Sequence, residues 1–253
     1  MPDWLPYLIV CPLVFLAGFV DAIGGGGGLI SLPAYLLAGL PAHAAIACNK
    51  FSACLGTAFS TARFLRSGFV KLKIALPAAA LALAGAAVGA SLSLLVAEKI
   101  LQGVLLAVLP VAAFFVLKNK NLGNDARTGT RPPLQVWLIS LAAAFVIGLY
   151  DGFYGPGTGT FLILIFVGLA RLDLKTAAGN AKVINLASNA ASLTVFLLNG
   201  AVMFPLAAAA AVFSIAGHYA GAGMVLKNGQ RIVRPIILVV LALLLVKIIL
   251  ELL

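Results

Sequence analysis

The sequence predicts an all-α polytopic membrane protein made of two inverted repeats of about five hydrophobic segments, each repeat holding one short helix interrupted by a glycine-rich break. Three observations predict it. Of 253 residues, 63% are hydrophobic and 9% charged, where a soluble protein of ordinary composition is about a quarter charged. The stretch GFVDAIGGGGGLISLP at 18–33 returns as GLYDGFYGPGTGTFLIL at 148–164, and Gly18, Asp21, Gly25 and Gly27 match Gly148, Asp151, Gly155 and Gly157 at a constant offset of 130. The Lys and Arg residues cluster in islands that fall on one side of a membrane if each repeat crosses it an odd number of times.

A span needs about 20 apolar residues, fewer if the helix is broken. On that scale helices are expected at 5–23, 29–40, 43–64, 73–96, 99–117, 134–153, 159–170, 174–198, 203–226 and 232–252. The run Gly24 to Gly28 ends the first helix, because each glycine costs about 1 kcal/mol relative to Ala in a helix interior. Met1 to Ile23 reads as a retained first span, since no charged region precedes it. The polar stretch 118–133 is a linker, so the repeats cover 1–117 and 134–253. They match beyond the glycine motif: FLRSGFV at 64–70 with FLLNGAV at 196–202, AGAAVGA at 84–90 with AGHYAGA at 216–222, and Lys50 with Lys182, all at an offset of 132. The change from 130 places a two-residue insertion near Arg171–Lys175.

Charge gives the topology. Arg63, Arg66, Lys71 and Lys73; Lys118, Lys120, Arg127 and Arg131; Arg171 and Lys175; and Lys227, Arg231 and Arg234 lie in alternate connections. The positive-inside rule makes that side, and the linker, cytoplasmic. Re-entrant short segments would leave four spans and a loop per repeat and make the halves parallel, but the charge distribution is consistent only with inversion. The net charge of +10 therefore orients the chain in a lipid bilayer, and no nucleic-acid partner is expected. Cys11, Cys48 and Cys54 lie in apolar segments at no metal-ligand spacing and read as small packing residues.

A charged side chain inside a membrane is costly and marks a functional candidate. Asp21, Lys50, Asp151 and Lys182 lie away from the ends of the long helices and form two repeat-related sets. The plain alternative is that they pair to hold the fold. Asn49 and Lys50 begin a polar face continued by Ser52, Thr57 and Ser60; Asn180, Lys182, Asn185, Ser188 and Asn189 do the same in the partner segment. Such amides either glue helices together or line a site. The short helices start at Gly28–Ser31 and Thr158–Thr160, and a helix start offers unpaired N–H groups and partial positive charge to an oxyanion. Gly25, Gly26, Gly27, Gly28, Ser31, Gly157, Thr158, Gly159 and Thr160 are therefore candidates to bind a small anion beside Lys50, Lys182, Asn49, Asn180 and Asn185. His218 lies mid-span, where a lone histidine is either a satisfied core residue or a proton-coupling group. The pairs Gly85 with Gly89 and Gly217 with Gly221 suit close helix contacts, and His43 starts a helix at the outer surface. No GxxxxGKS/T, HExxH or GxSxG motif occurs, so neither a P-loop motor nor an enzyme is expected, and no cofactor or metal is called for.

The glycine motif at 18–33, the AxxCNKxxxxxGT stretch at 45–57 and the weaker second copy at 148–164 resemble the sulfite exporter TauE/SafE family, also called the toluene sulfonate uptake permeases. The similarity covers essentially the whole chain. It implies a permease of the bacterial inner membrane for sulfur-containing anions such as sulfite, sulfonates or sulfoacetate, driven by an ion gradient. Tyr154, Pro156 and Thr158 replace glycines of the first copy, so the half-sites are not equivalent, and one would bind while the other gates.

The residues lead to a secondary transporter of a small anion that works by rocking one half against the other. Lys50 and Lys182 hold the anion in this reading, and Asp21 and Asp151 anchor the broken helices or relay protons. An anion channel and a carrier of an unrelated carboxylate share the same architecture. The sequence leaves substrate, direction, coupling ion and any homo-oligomer open.

Overall fold

The computed structural model describes residues 4–96, 131–229, 231–233, 235–237 and 239. The expected spans 99–117 and 232–252 and the linker 118–133 lie wholly or mostly outside the described residues. Within those residues the chain is helical without strands. The helices are α1 (Leu5–Gly24), α2 (Gly28–Leu37), α3 (Ala42–Arg66), α4 (Leu72–Leu95), α5 (Pro133–Phe153), α6 (Thr158–Gly168), α7 (Leu174–Leu198) and α8 (Phe204–Asn228).

Five of them, α1, α4, α5, α7 and α8, are long and apolar enough to cross a membrane. Helix α3 has 25 residues, about 37 Å at 1.5 Å per residue, but its middle carries Asn49, Lys50, Ser52, Thr57 and Ser60, all buried. It keeps these side chains by lying inside the bundle, against α7 and α8. Helices α2 and α6 have 10 and 11 residues, about 15 Å each, or half the hydrocarbon thickness.

Each break has a local cause. Helix α1 ends on Gly25, which takes φ 78° while its N–H still donates to the Asp21 carbonyl at 2.9 Å. That left-handed cap suits a residue without Cβ. A Cβ at Gly25 would also run into the backbone of Gly159 and Thr160. The two breaks bind one another there: the Thr160 N–H donates to the Gly25 carbonyl at 2.9 Å and its hydroxyl to the Gly24 carbonyl at 2.6 Å. In the second break Gly155 and Gly157 take φ 98° and 85°, and the Tyr150 hydroxyl ties down the Pro156 carbonyl at 2.7 Å.

Contacts between helices keep the same pattern when the halves are exchanged. The small faces of Gly217 and Gly221 on α8 lie against Phe15 and Phe19 of α1, and those of Gly85 and Gly89 on α4 lie against Phe145, Leu149 and Phe153 of α5. Both pairs run parallel, and each joins one repeat to the other. At the centre α3 and α7 run antiparallel: Lys50 reaches Asn189 near one end, and the Thr61 hydroxyl donates to the Lys182 carbonyl at 3.2 Å near the other. The entry to α4 is fixed by the Lys71 N–H donating to Asn180 Oδ1 at 3.0 Å. Its counterpart is the Met203 N–H, 3.4 Å from Cys48 Sγ, at the entry to α8. His43 is half-buried, with Nε2 3.1 Å from the Ser93 carbonyl, and joins the start of α3 to the end of α4.

Two glycines with similar dihedrals separate backbone strain from close approach. Gly39 has φ 85° with nothing within 4 Å of an added Cβ, so Gly39→Ala should cost about 1 kcal/mol of strain. Gly25→Ala adds a collision with backbone and should cost roughly 2–3 kcal/mol more. Thermal unfolding of the two variants checks this, and equal melting points would refute it.

Candidate functional site

The four buried charges pair across the repeats. Lys50 of α3 meets Asp151 of α5 at 2.8 Å, and Lys182 of α7 meets Asp21 of α1 at 2.6 Å. Lys50 and Asp151 have side chains 1% and 3% exposed, Lys182 0%, and Asp21 15%, so one carboxylate alone keeps an appreciable open face. Lys50 also donates to Asn189 Oδ1 at 3.1 Å, and Lys182 to the Asp21 carbonyl. Asn189, the partner of Lys50, and Lys182 lie seven residues apart on α7.

Each carboxylate has further donors from its own break and from a facing helix. Asp21 Oδ1 accepts from the Gly27 N–H at 3.2 Å, and its Oδ2 lies 3.2 Å from His218 Nε2 on α8. Asp151 Oδ1 accepts from the Thr158 hydroxyl at 2.7 Å and Oδ2 from the Ser188 hydroxyl at 2.6 Å. The third partner thus comes from α8 in one half-site and α7 in the other. Gly56 stands in α3 where α7 has Ser188, and Ala86 stands in α4 where α8 has His218. Added Cβ atoms on Gly18 and Gly56 would meet the His218 ring, at 2.6 Å from Nδ1 for Gly18 and 2.9 Å from Cε1 for Gly56. These glycines are missing side chains that admit an imidazole.

Between the ion pairs lies a cavity of about 40 Å³, room for roughly three waters. Asp21, Gly27, Gly28, Ser31, Asn49, Lys50, Asp151, Thr158, Asn185 and His218 all line it, with Ser52, Gly155, Asn189 and Ser214. Three donors on this wall, Asn49 Nδ2, Asn185 Nδ2 and the Gly28 N–H, have no acceptor among the described residues. Their neighbours are committed: the Ser31 hydroxyl donates to Asn49 Oδ1 at 2.6 Å, and Asn189 Nδ2 to Asn185 Oδ1 at 3.0 Å. One ammonium, two amide N–H groups and a helix N-terminus make a wall suited to a small oxyanion.

The other sequence candidates lie off this wall. Gly25, Gly159 and Thr160 join the two breaks, and Gly26 and Gly157 shape them. Asn180 accepts from Lys71 and donates to the Thr176 carbonyl at 2.9 Å. Lys182 lies behind Asp21. Sequence reasoning missed Gly18, Gly56 and Ser214 as the setting of His218; for Gly56 and Ser214 the signal was the exchange of small for polar residues between the halves, with Ser188 and Ala82 at the matching positions, while Gly18 has Gly148 opposite it and carried no such signal.

Removing one partner of a buried ion pair leaves an uncompensated charge, which costs roughly 3–5 kcal/mol, while removing both can be nearly neutral. Lys50→Met should therefore melt well below wild type, and Lys50→Met with Asp151→Asn should recover most of the loss. A double variant less stable than either single one would show that the pair does not act as a unit.

A family model described as Sulfite exporter TauE/SafE matches residues 10–248. The "Probable membrane transporter protein ORF9" of Sinorhizobium sp is 35% identical over 238 residues, 93% of this chain and 88% of the relative. The "Probable membrane transporter protein YfcA" of Escherichia coli (strain K12) is 36% identical over 231 residues, covering 91% and 84%. A "Probable membrane transporter protein" of Haemophilus influenzae is 35% identical over 229 residues, covering 89% and 87%. No solved structure matches the chain.

Proposed function

Because this chain belongs to the TauE/SafE sulfite exporter family of multi-pass membrane transporters, we propose that it is a secondary carrier of a small sulfur-containing anion, sulfite or an organosulfonate. It works across the bacterial cytoplasmic membrane by alternating access, with the linker 118–133 on the cytoplasmic side. The observation that carries this reading is the cavity wall, where the Lys50 ammonium stands beside Asn49, Asn185 and Gly28 donors that have no acceptor among the described residues. Anions are held by such fixed donors at little reorganisation cost.

The halves are read as an inverted repeat. Support comes from α3 and α7, which are repeat counterparts and run antiparallel, and from α1 and α5, each lying on the opposite repeat. Each ion pair joins one half to the other. Rocking the halves opens one pair while the other stays closed, as a carrier with a midplane site requires. In the state related by exchanging the halves, Lys182 takes the place of Lys50 on the wall and Lys50 withdraws behind Asp151.

Ligand that binds only the folded protein raises its melting temperature with RT ln(1 + [L]/Kd). Sulfite or methanesulfonate should stabilise the purified protein, and Asn49→Ala or Asn185→Ala should raise the apparent Kd about tenfold, the loss of one hydrogen bond to a charged group. Stabilisation by acetate with neither sulfur anion would discard the substrate class and keep the site. Uptake into proteoliposomes should saturate with anion concentration; a linear, conductive flux would make the protein a channel.

A further inference from the structure

Charge on the cavity wall does not provide for the anion. Asp21 is matched by Lys182 and Asp151 by Lys50, so the two pairs sum to zero before any substrate enters. An anion in this site adds an uncompensated negative charge, which a membrane interior penalises. His218 is the remaining ionisable group on the wall.

Its surroundings suit two protonation states. Nδ1 lies 2.9 Å from the Ser214 carbonyl and 3.3 Å from the Ser214 hydroxyl. Nε2 lies 3.2 Å from Asp21 Oδ2 and 3.3 Å from the Thr57 hydroxyl. Each nitrogen therefore faces one oxygen that can only accept and one hydroxyl that can donate or accept. An imidazolium donates to the carbonyl and the carboxylate; a neutral ring keeps one of these bonds and takes a hydroxyl proton at its other nitrogen. The charged groups near the ring are Asp21 from α1, Lys182 from α7 behind it, and Lys50 and Asp151 across the cavity. Arg63 of α3 is turned one level away, donating to the Tyr219 carbonyl at 2.6 Å. The repeat offers no second such group, because Ala86 occupies the equivalent position.

We propose that His218, held between Asp21, Thr57 and Ser214, is the proton site of the transport cycle, so that one proton is taken up together with each anion. The inference rests on the cavity being an anion site. The proton comes from bulk water when the cavity is open to one face, resides on the imidazole while anion and proton are enclosed, and leaves with the anion at the other face. Net charge in the closed state stays at zero for a monovalent anion.

Proton uptake on anion binding tests this with the purified full-length protein in weak buffer near pH 7, using sulfite, methanesulfonate and acetate, each corrected for its own buffering in protein-free solution. Melting shifts on the same samples report whether each anion binds. Wild type should take up about one proton per monovalent anion bound. His218→Gln should weaken the melting shift and, at anion concentrations high enough to restore it, lose proton uptake at least fivefold. Gly56→Ala, which keeps every titratable group but puts a Cβ against the ring, should move proton uptake in the same direction, so a poorly folding His218→Gln does not end the test. Proton uptake with acetate alone removes the sulfur-anion reading and sustains the proton site. Anion binding without proton uptake in wild type, undiminished uptake in His218→Gln, or no proton uptake with any of the three anions overturns the proposal.

Discussion

The fold depends on placing four charged side chains inside a membrane without leaving any of them alone. An isolated Lys or Asp at that depth costs several kcal/mol, and here Lys50 pairs with Asp151 and Lys182 with Asp21, each across the boundary between repeats. The glycine breaks follow from that requirement. They end α1 beside Asp21, turn the Gly27 N–H toward its carboxylate, and bring Thr158 to Asp151. The small residues on α4 and α8 let α5 and α1 come close enough for their aspartates to reach the lysines of α3 and α7. Stability and site are therefore one arrangement: the bonds that hold the halves together border the cavity.

The two half-sites share a frame and differ in chemistry. Around Asp151 the supporting donors are the Ser188 and Thr158 hydroxyls, and Lys50 is held in turn by donating to Asn189 Oδ1; hydroxyls and amides do not change protonation near neutral pH. Around Asp21 the corresponding space, cleared by Gly18 and Gly56, holds an imidazole. The two half-sites thus share their geometry and differ in chemistry, one supported by hydroxyls and the other by an imidazole.

Much of this was legible in the sequence. The glycine motifs gave the breaks to within a residue or two, and the four intramembrane charges stood out against their apolar surroundings. The pairing did not follow, because a repeat constrains contacts only to occur in symmetric sets: Lys50 with Asp21 and Lys182 with Asp151 would have been equally symmetric. Nor did the sequence separate Asn185 from Asn180. They lie five residues apart, about 140° around the helix, and the rotation of α7 that puts one on the cavity and the other against Lys71 is set by helix packing. His218 read as an isolated histidine for the same reason, since the glycines that make room for it lie on two other helices.

The exchange of partners between halves also bears on the order in which the chain is made. Helix α1 is made well before α8, Phe204–Asn228, yet that is the surface it lies against, and the Lys182 that neutralises Asp21 belongs to the second half as well. The first repeat consequently enters the bilayer with Asp21 and Lys50 before the partners they meet in the folded protein, Lys182 and Asp151, have been made. Insertion must tolerate that interval, because the contacts that complete each half come from the other and not from within it.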